Sequence, residues 1–246
     1  MLAIIIPAHN EEETIEAAIV SAHQAAADRR LQGEAVELLV VLDDCTDATA
    51  VRAVQAGART LGLRAGNVGA ARAAGAAAAL ALGARWLAFT DADSRVAPAW
   101  LADQLSLDAD AVCGCVEVED WSPHGIHAGF LQAHFERSYI DLDDHRHVHG
   151  ANFGVSAEAY RKAGGFRPLA CSEDVALVDA LQASGARIAW SAKPRVVTSA
   201  RRQARARGGF ADALLNAIAR GALAPACVPL PLQPALPASA TAAVPL

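Results

Sequence analysis

A chain of 246 residues with a formal net charge of −6 is long enough to close a substantial core, and its acidity argues against a nucleic-acid surface. Hydrophobic residues make up 53%, but much of that is alanine. The longest alanine-rich run, 70–82, contains Arg72 and Gly75 and falls short of the roughly 20 apolar residues that cross a bilayer, so no membrane span is expected.

The opening MLAIIIPAHNEEE has no basic leader and reaches charge early, which makes the cytoplasm the expected location. Leu2 to Ile6 reads as a short buried strand ended by Pro7, and Asn10 as the cap of a helix with Glu11, Glu12 and Glu13 in its first turn, where the helix dipole favours acids. Glu37 to Leu42 is a second strand, followed by Asp43-Asp44-Cys45-Thr46-Asp47 and a helical pattern through Ala58. Residues 59–63 give a short third strand, and Asn67-Val68-Gly69 opens the alanine-rich helix. Trp86 to Thr90 is a fourth strand that runs straight into Asp91-Ala92-Asp93. Strand and helix in alternation imply a mostly parallel sheet with helices on both faces, and the ligand crevice of such a sheet lies at the carboxyl ends of its strands. The polar clusters Pro7-Ala8-His9-Asn10-Glu11, Asp43-Asp44 and Asp91-Ala92-Asp93 should therefore converge on one edge.

In the second half, His145, His147 and His149 alternate and would share one face of a strand. A zinc site there has no obvious fourth ligand. Gly164-Gly165 stops a helix, and Ser172-Glu173-Asp174 precedes a helical pattern that runs to Ser184. Five cysteines, Cys45, Cys113, Cys115, Cys171 and Cys227, are odd in number and lack zinc-type spacing, so reduced thiols are expected. Residues 223–246 are rich in proline and alanine without helix or strand period and read as a disordered tail.

Five segments together resemble a known family: IPAHNEEETI at 6–15, VLDDCTDAT at 41–49, GNVGAARAAG at 66–75, TDADSRV at 90–96 and SEDVAL at 172–177. In order and spacing they are similar to the inverting family 2 glycosyltransferases, over roughly residues 1–200. The resemblance implies an α/β chain of GT-A (Rossmann-like) fold. It would be one domain over 1–222, with a nucleotide-sugar-binding half at 1–110 and an acceptor half at 111–222. It also implies a UDP- or GDP-sugar donor and Mn²⁺ or Mg²⁺ held by Asp91 and Asp93, since oxygen ligands suit both ions and a divalent cation offsets the charge of a departing diphosphate.

By the same resemblance Pro7 and Ala8 line the base or ribose, with Asn10 in the same nucleoside-binding cluster. Glu11 or Glu12 accepts from ribose hydroxyls, with Glu13 read as a surface acid, and Asp43 or Asp44 accepts an N–H of the base. Asn67, Gly69 and Arg72 serve the donor, with Arg72 placed for a phosphate or an aspartate, and Asp91 and Ala92 lie along the nucleotide. His149, Gly150, Ala151 and Asn152 flank the donor sugar and acceptor. Asp174 is the expected base, with Glu173 as the neighbour that shares or takes the role. The acceptor itself stays unassigned. Arginines 201, 202, 205 and 207 are either a lid over the diphosphate or a solvated basic loop.

Two departures narrow the reading. No histidine follows His149, so a metal ligand from a late histidine has no counterpart, and a Gln-x-x-Arg-Trp signature of processive synthases is missing. Rival classes fit less well. A sugar nucleotidyltransferase would carry a glycine-rich basic loop where this chain has PAHNEEE, and a DxDx[TV] phosphatase would place its aspartate after the first strand. A nucleotide-sugar-binding protein without catalysis remains the non-enzymatic alternative.

Overall fold

The computed structural model describes residues 1–203 and 209–223. Its strands are β1 Leu2–Ala8, β2 Val36–Asp43, β3 Arg59–Leu63, β4 Trp86–Phe89, β5 Arg95–Val96, β6 Ala111–Glu117, β7 Phe153–Ser156 and β8 Ile188–Val197. The helices are α1 Ile15–Ala26, α2 Thr49–Gln55, α3 Val68–Ala81, α4 Trp100–Ser106, α5 Ala128–Ser138, α6 Ala157–Lys162, α7 Glu173–Ala183 and α8 Phe210–Leu223. The strands form one sheet in the order β3-β2-β1-β4-β7-β6-β8-β5.

β1 is buried along its whole length, and its period of two sorts the core into two layers. Leu2, Ile4 and Ile6 face one way and meet Ile15, Ile19 and Ala22 of α1, together with Trp100 and Leu101 of α4. Ala3 and Ile5 face the other way, onto Ala71, Ala76 and Ala79 of α3, in the layer that also holds Leu177, Val178 and Leu181 of α7. The alanine content of α3 has a steric reason. A Cβ at Gly75 would lie 2.5 Å from Ile5 Cγ2 and 2.9 Å from Val41 Cγ2, so this helix face sits almost on the sheet. A third, smaller cluster of Trp121, Leu131, Ala200 and Leu214 lies under α5 and α8.

The sheet is mostly parallel, as expected, but not purely so, because β7 and β5 run against the other strands. β3, β2, β1 and β4 run parallel, as do β6 and β8, but β4–β7, β6–β7 and β5–β8 are antiparallel. The βα alternation that dictates parallel neighbours stops at β4. After β6 the chain makes a long excursion through α5 and returns as β7 between β4 and β6.

Other boundaries also moved. Pro7 does not end β1. It pairs in register with Val41, and because Ile5 offers its carbonyl to Thr90 on the β4 side, the N–H that Pro7 lacks would have pointed where β4 has just ended. Asn10 does not cap α1. It adopts a left-handed φ of 54°, and Thr14 stands at the N-cap, so Glu11 to Glu13 form the turn before the helix. The segment of His145, His147 and His149 is a loop and not a strand, with Arg146 at a left-handed φ of 64°. Arg205, Arg207 and the tail beyond Leu223 lie outside the described residues. Among those described, no helix is long and apolar enough to cross a membrane.

Candidate active site

The carboxyl ends of β1, β2 and β4 open into a cleft of roughly 750 Å³, closed on its far side by residues 148–151, the start of α7 and the start of α8. The polar clusters do converge there: Pro7, Ala8, Glu11, Asp43, Asp91, Ala92 and Asp93 all line it. The loops that bear them are braced to one another. Asn10 Oδ1 accepts the Thr46 N–H at 2.8 Å, Glu12 Oε2 accepts the Ala48 N–H at 3.0 Å, and His9 Nδ1 donates to the Asp43 carbonyl at 2.7 Å. Asn10 and Glu12 thus tie the β1 loop to the β2 loop, and Glu13 is exposed, as expected of a surface acid.

Asp43 is buried, and its carboxylate accepts three backbone N–H groups, from Ala65, Gly66 and Asn67, at 2.7, 3.0 and 2.8 Å. It thereby fixes the turn into α3, where Asn67 caps the helix by accepting the Ala70 N–H at 2.8 Å. Asp44 is exposed, has φ of 53° and does not line the cleft.

Arg72 is the hub. It is 4% exposed, its Nη2 lies 2.6 Å from Asp91 Oδ1, its Nη1 pairs with Glu173 Oε1, and its guanidinium sits 5.9 Å from the Phe166 ring centroid. Burial alone would lower its pKa, but the charges of Asp91, Glu173 and Asp174 outweigh that and hold it above the ordinary arginine value. Glu173 is buried too, and burial raises its pKa against the pull of Arg72. Two glycines make this packing possible. A Cβ at Gly150 would overlap the Arg72 guanidinium, and one at Gly69 would overlap the Arg167 carbonyl oxygen and come within 3.1 Å of Glu173 Cβ. Gly69→Ala is accordingly expected to cost about 1–3 kcal/mol of stability by overpacking, read as a lower urea midpoint at unchanged slope. An unchanged midpoint would show that the 167–173 segment yields freely.

Asp174 differs from its neighbour. It is only partly buried, lines the cleft, and its Oδ2 accepts the Gly150 N–H at 2.8 Å while Oδ1 accepts the Val175 N–H at 2.8 Å. Ser172 before it holds a left-handed φ of 58°, so the chain enters α7 through a kink that sets both acids at the cleft wall. Asp93 has a side chain 10% exposed, and burial pushes its pKa up to about 6, with Arg201 opposing the rise and Asp91 and Glu11 adding to it. Arg201 Nη2 lies 2.9 Å from Asp93 Oδ2, and its Nη1 lies 2.7 and 2.8 Å from the two oxygens of Glu11.

Asn152 does not line the cleft. It is fully buried behind the cleft wall, where it donates to the carbonyls of Cys115 and Pro194 at 2.6 and 2.9 Å and accepts from Trp100 Nε1 at 2.8 Å. A buried amide so fully engaged is a structural brace. Gly150, Ala151 and His149 do line the cleft.

The three histidines stack ring on ring, with centroids 5.2 and 5.9 Å apart, and Tyr139 stacks on His147 at 4.2 Å. His145 Nε2 lies 3.2 Å from the Cys113 carbonyl, His147 Nε2 accepts the Ile140 N–H at 3.0 Å, and His149 Nε2 lies 3.0 Å from the Tyr139 hydroxyl. Among the described residues no group of three or more His, Cys, Asp or Glu side chains is arranged to hold a metal by itself. Tyr139 and Phe166, which seat His149 and Arg72, carried no sequence signal beyond being aromatic.

Burial lowers the His149 pKa to about 4, with His147 and His145 adding to the effect. An unfolded histidine titrates near 6.5, so between about 6.5 and 4 the unfolded chain takes up a proton that the folded chain refuses. Stability from this group is therefore full above about 6.5 and lost as pH falls toward 4, by at most about 3 kcal/mol. Asp93 works in the opposite sense over much of the same window. His149→Asn should remove the acid-side loss that His149 contributes, seen as a shallower fall in urea midpoint than wild type between pH 6.5 and 4. Parallel profiles would contradict it.

The chain matches the model of "Glycosyl transferase family 2" over residues 3–164. No curated protein matches it. Among solved structures it is similar to S. aureus TarS, with TM-score 0.61, 15% identity, 80% of this chain and 36% of that chain covered. It is also similar to the mannosyltransferase PcManGT from Pyrobaculum calidifontis in complex with GDP-Man and Mn²⁺, with TM-score 0.59, 19% identity and coverage of 84% and 58%. Glucosyl-3-phosphoglycerate synthase from Mycobacterium tuberculosis, in complex with Mg²⁺ and uridine diphosphate, gives TM-score 0.60, 19% identity and coverage of 89% and 78%. The chain thus spans about a third of TarS and somewhat over half of the mannosyltransferase. These likenesses identify the fold as GT-A. With two thirds of its length matched by the family model, the chain belongs to glycosyl transferase family 2.

Proposed function

We propose that this chain is an inverting, non-processive, metal-dependent hexosyltransferase, active in the cytoplasm, that moves a sugar from a UDP- or GDP-sugar to an acceptor hydroxyl. Residues 1–110 hold the nucleotide and 111–222 the acceptor, within one domain. The observation that carries the reading is the division of labour between Glu173 and Asp174, which both line the cleft: Glu173 is buried and locked on Arg72, whereas Asp174 is partly exposed and held by the Gly150 and Val175 N–H groups. Solved neighbours bound to UDP, UDP-GlcNAc or GDP-Man, some with Mn²⁺ or Mg²⁺, support the donor class.

The donor set fits a hard divalent cation. Asp91 and Asp93 offer carboxylate oxygens at the cleft edge, and Mg²⁺ is commonly held by one or two carboxylates plus substrate phosphates, without an all-protein cage. A bound cation supplies charge neutralisation for the departing diphosphate. The chain's residues do the rest. Arg72 pins Asp91, Pro7 and Ala8 border the nucleoside, Asp43 holds the turn at the start of α3, and Gly150 gives the sugar room beside Arg72. Asp174 takes the proton of the acceptor hydroxyl as that oxygen bonds to the anomeric carbon, and the bond from that carbon to the diphosphate oxygen breaks with its electron pair leaving on the diphosphate.

Asp93→Asn tests the metal site. It is expected to abolish Mn²⁺-dependent release of nucleoside diphosphate from UDP- and GDP-sugars and to weaken nucleoside diphosphate binding by roughly tenfold or more, with the melting temperature little changed because Asp93 lies in the turn between β4 and β5, outside the hydrophobic clusters. Calorimetry showing undiminished Mn²⁺-dependent binding in the variant would refute the assignment.

A further inference from the structure

The basic segment after β8 was open to two readings, a lid over the diphosphate or a solvated loop. Arg201 is not a solvated side chain: it is ion-paired inside the cleft. Its guanidinium spans the cleft, gripping both oxygens of Glu11 with one nitrogen and Asp93 with the other, so one planar fork joins the acid assigned to the ribose to the acid assigned to the metal. Both carboxylates are nearly buried, with side chains 6% and 10% exposed, while Arg201 is 29% exposed. Two carboxylates in one partly dry cleft repel each other, and a shared guanidinium offsets that repulsion.

The backbone that carries Arg201 is anchored. Thr198 donates its N–H to the Glu117 carbonyl at 2.8 Å, the Thr198 hydroxyl lies 2.9 Å from that of Ser94 next to Asp93, and Ala200 is buried in the cluster with Trp121, Leu131 and Leu214. A movement of the Arg201 side chain therefore suffices to break its own contacts with both acids, with no lid motion of the described segment.

We infer that Arg201 is an internal counter-ion that occupies the cation position of the empty cleft and is exchanged for the divalent cation only when a nucleoside diphosphate arrives with it. The inference rests on the metal-dependent donor binding proposed above. A divalent cation alone must displace a guanidinium from three contacts and finds Asp91 already paired with Arg72, so it gains few ligands. A diphosphate changes the balance twice. It brings oxygens that complete the cation's shell, and it offers the displaced guanidinium a bidentate partner of its own. Glu11 gives up its Arg201 contact at the same step. Arg201 is thus a positioning residue that couples cation and nucleotide binding, and the coupling is reciprocal.

The test is calorimetric titration of the whole chain with Mn²⁺ alone, with UDP and GDP alone, and with each nucleotide at saturating Mn²⁺, in wild type, Arg201→Gln and Arg201→Lys. Arg201→Gln should bind Mn²⁺ alone roughly tenfold more tightly than wild type and bind the nucleotide at saturating Mn²⁺ more weakly, so that the mutual enhancement shrinks by a factor within the 5- to 150-fold range of ordinary couplings. Arg201→Lys, which keeps the charge but not the fork, should fall between. Unchanged or weaker Mn²⁺ binding in Arg201→Gln, with Mn²⁺-dependent nucleotide binding intact in wild type, overturns the exchange alone. Failure of wild type to bind either nucleotide with Mn²⁺ overturns the donor reading and the exchange with it.

Discussion

Asp174→Asn is expected to lower turnover by about 10²- to 10⁴-fold while leaving Mn²⁺-dependent binding of nucleoside diphosphate within about twofold of wild type. The amide keeps one oxygen to accept the Gly150 N–H and gives up the bond from Val175, so the wall beside Gly150 stays in place, but it cannot take up the acceptor proton. Glu173→Gln should behave differently. Its carboxylate also lines the cleft but is buried and paired with Arg72, so its loss acts through Arg72 on donor binding and on stability. Steady-state turnover and calorimetric affinity measured on both variants separate the roles. Near-normal turnover in Asp174→Asn with a large loss in Glu173→Gln would move the base by one residue.

Arg72→Met should be the most destabilising single change at the site, costing about 3–5 kcal/mol at pH 7, because it strands Glu173 as an unpaired buried carboxylate and leaves Asp91 without its partner. The penalty has a pH signature. With Arg72 present, burial already raises the Glu173 pKa, and without the guanidinium it rises further, so the folded variant takes up a proton that the unfolded chain, titrating near 4.3, does not. The deficit relative to wild type should therefore shrink as pH falls toward 5, and the double variant Arg72→Met with Glu173→Gln should recover much of the loss at pH 7. Urea denaturation at the two pH values checks both statements. A loss below about 1 kcal/mol at pH 7 would mean that the Arg72–Glu173 pair is worth no more than a surface ion pair.

The elements nearest the N-terminus were the most legible in the sequence, since β1 to β4 and α3 each rest on local signals: apolar runs, an Asn N-cap and an alanine face. What local signals cannot carry is the pairing of distant strands. Nothing in Phe153–Ser156 says that it will insert antiparallel between β4 and β6, and the mixed sheet follows from that insertion. At the site, Asp91, Asp93, Arg72, Gly150 and Asp174, singled out by motif spacing, line one cleft. Burial sorted residues that motifs treat alike. Asn152 adjoins Ala151 yet turns into the core, Asp44 adjoins Asp43 yet turns out to solvent, and Glu173 and Asp174 diverge by one helical step. The bridge from Arg201 to Glu11 spans 190 positions and involves an arginine among several in a basic run, so no pattern short of the folded chain singles it out.

The anomeric configuration of the first product tests the inverting mechanism most directly, and water can serve as the acceptor. An α-linked UDP- or GDP-sugar that supports hydrolysis with Mn²⁺ is incubated with the protein, and the released sugar is followed by proton NMR before mutarotation mixes the anomers. A base at Asp174 directing attack from the face opposite the diphosphate predicts the β-anomer first, with release lost in Asp174→Asn. Appearance of the α-anomer first, or release that survives the Asp174→Asn change at the wild-type rate, would contradict the mechanism.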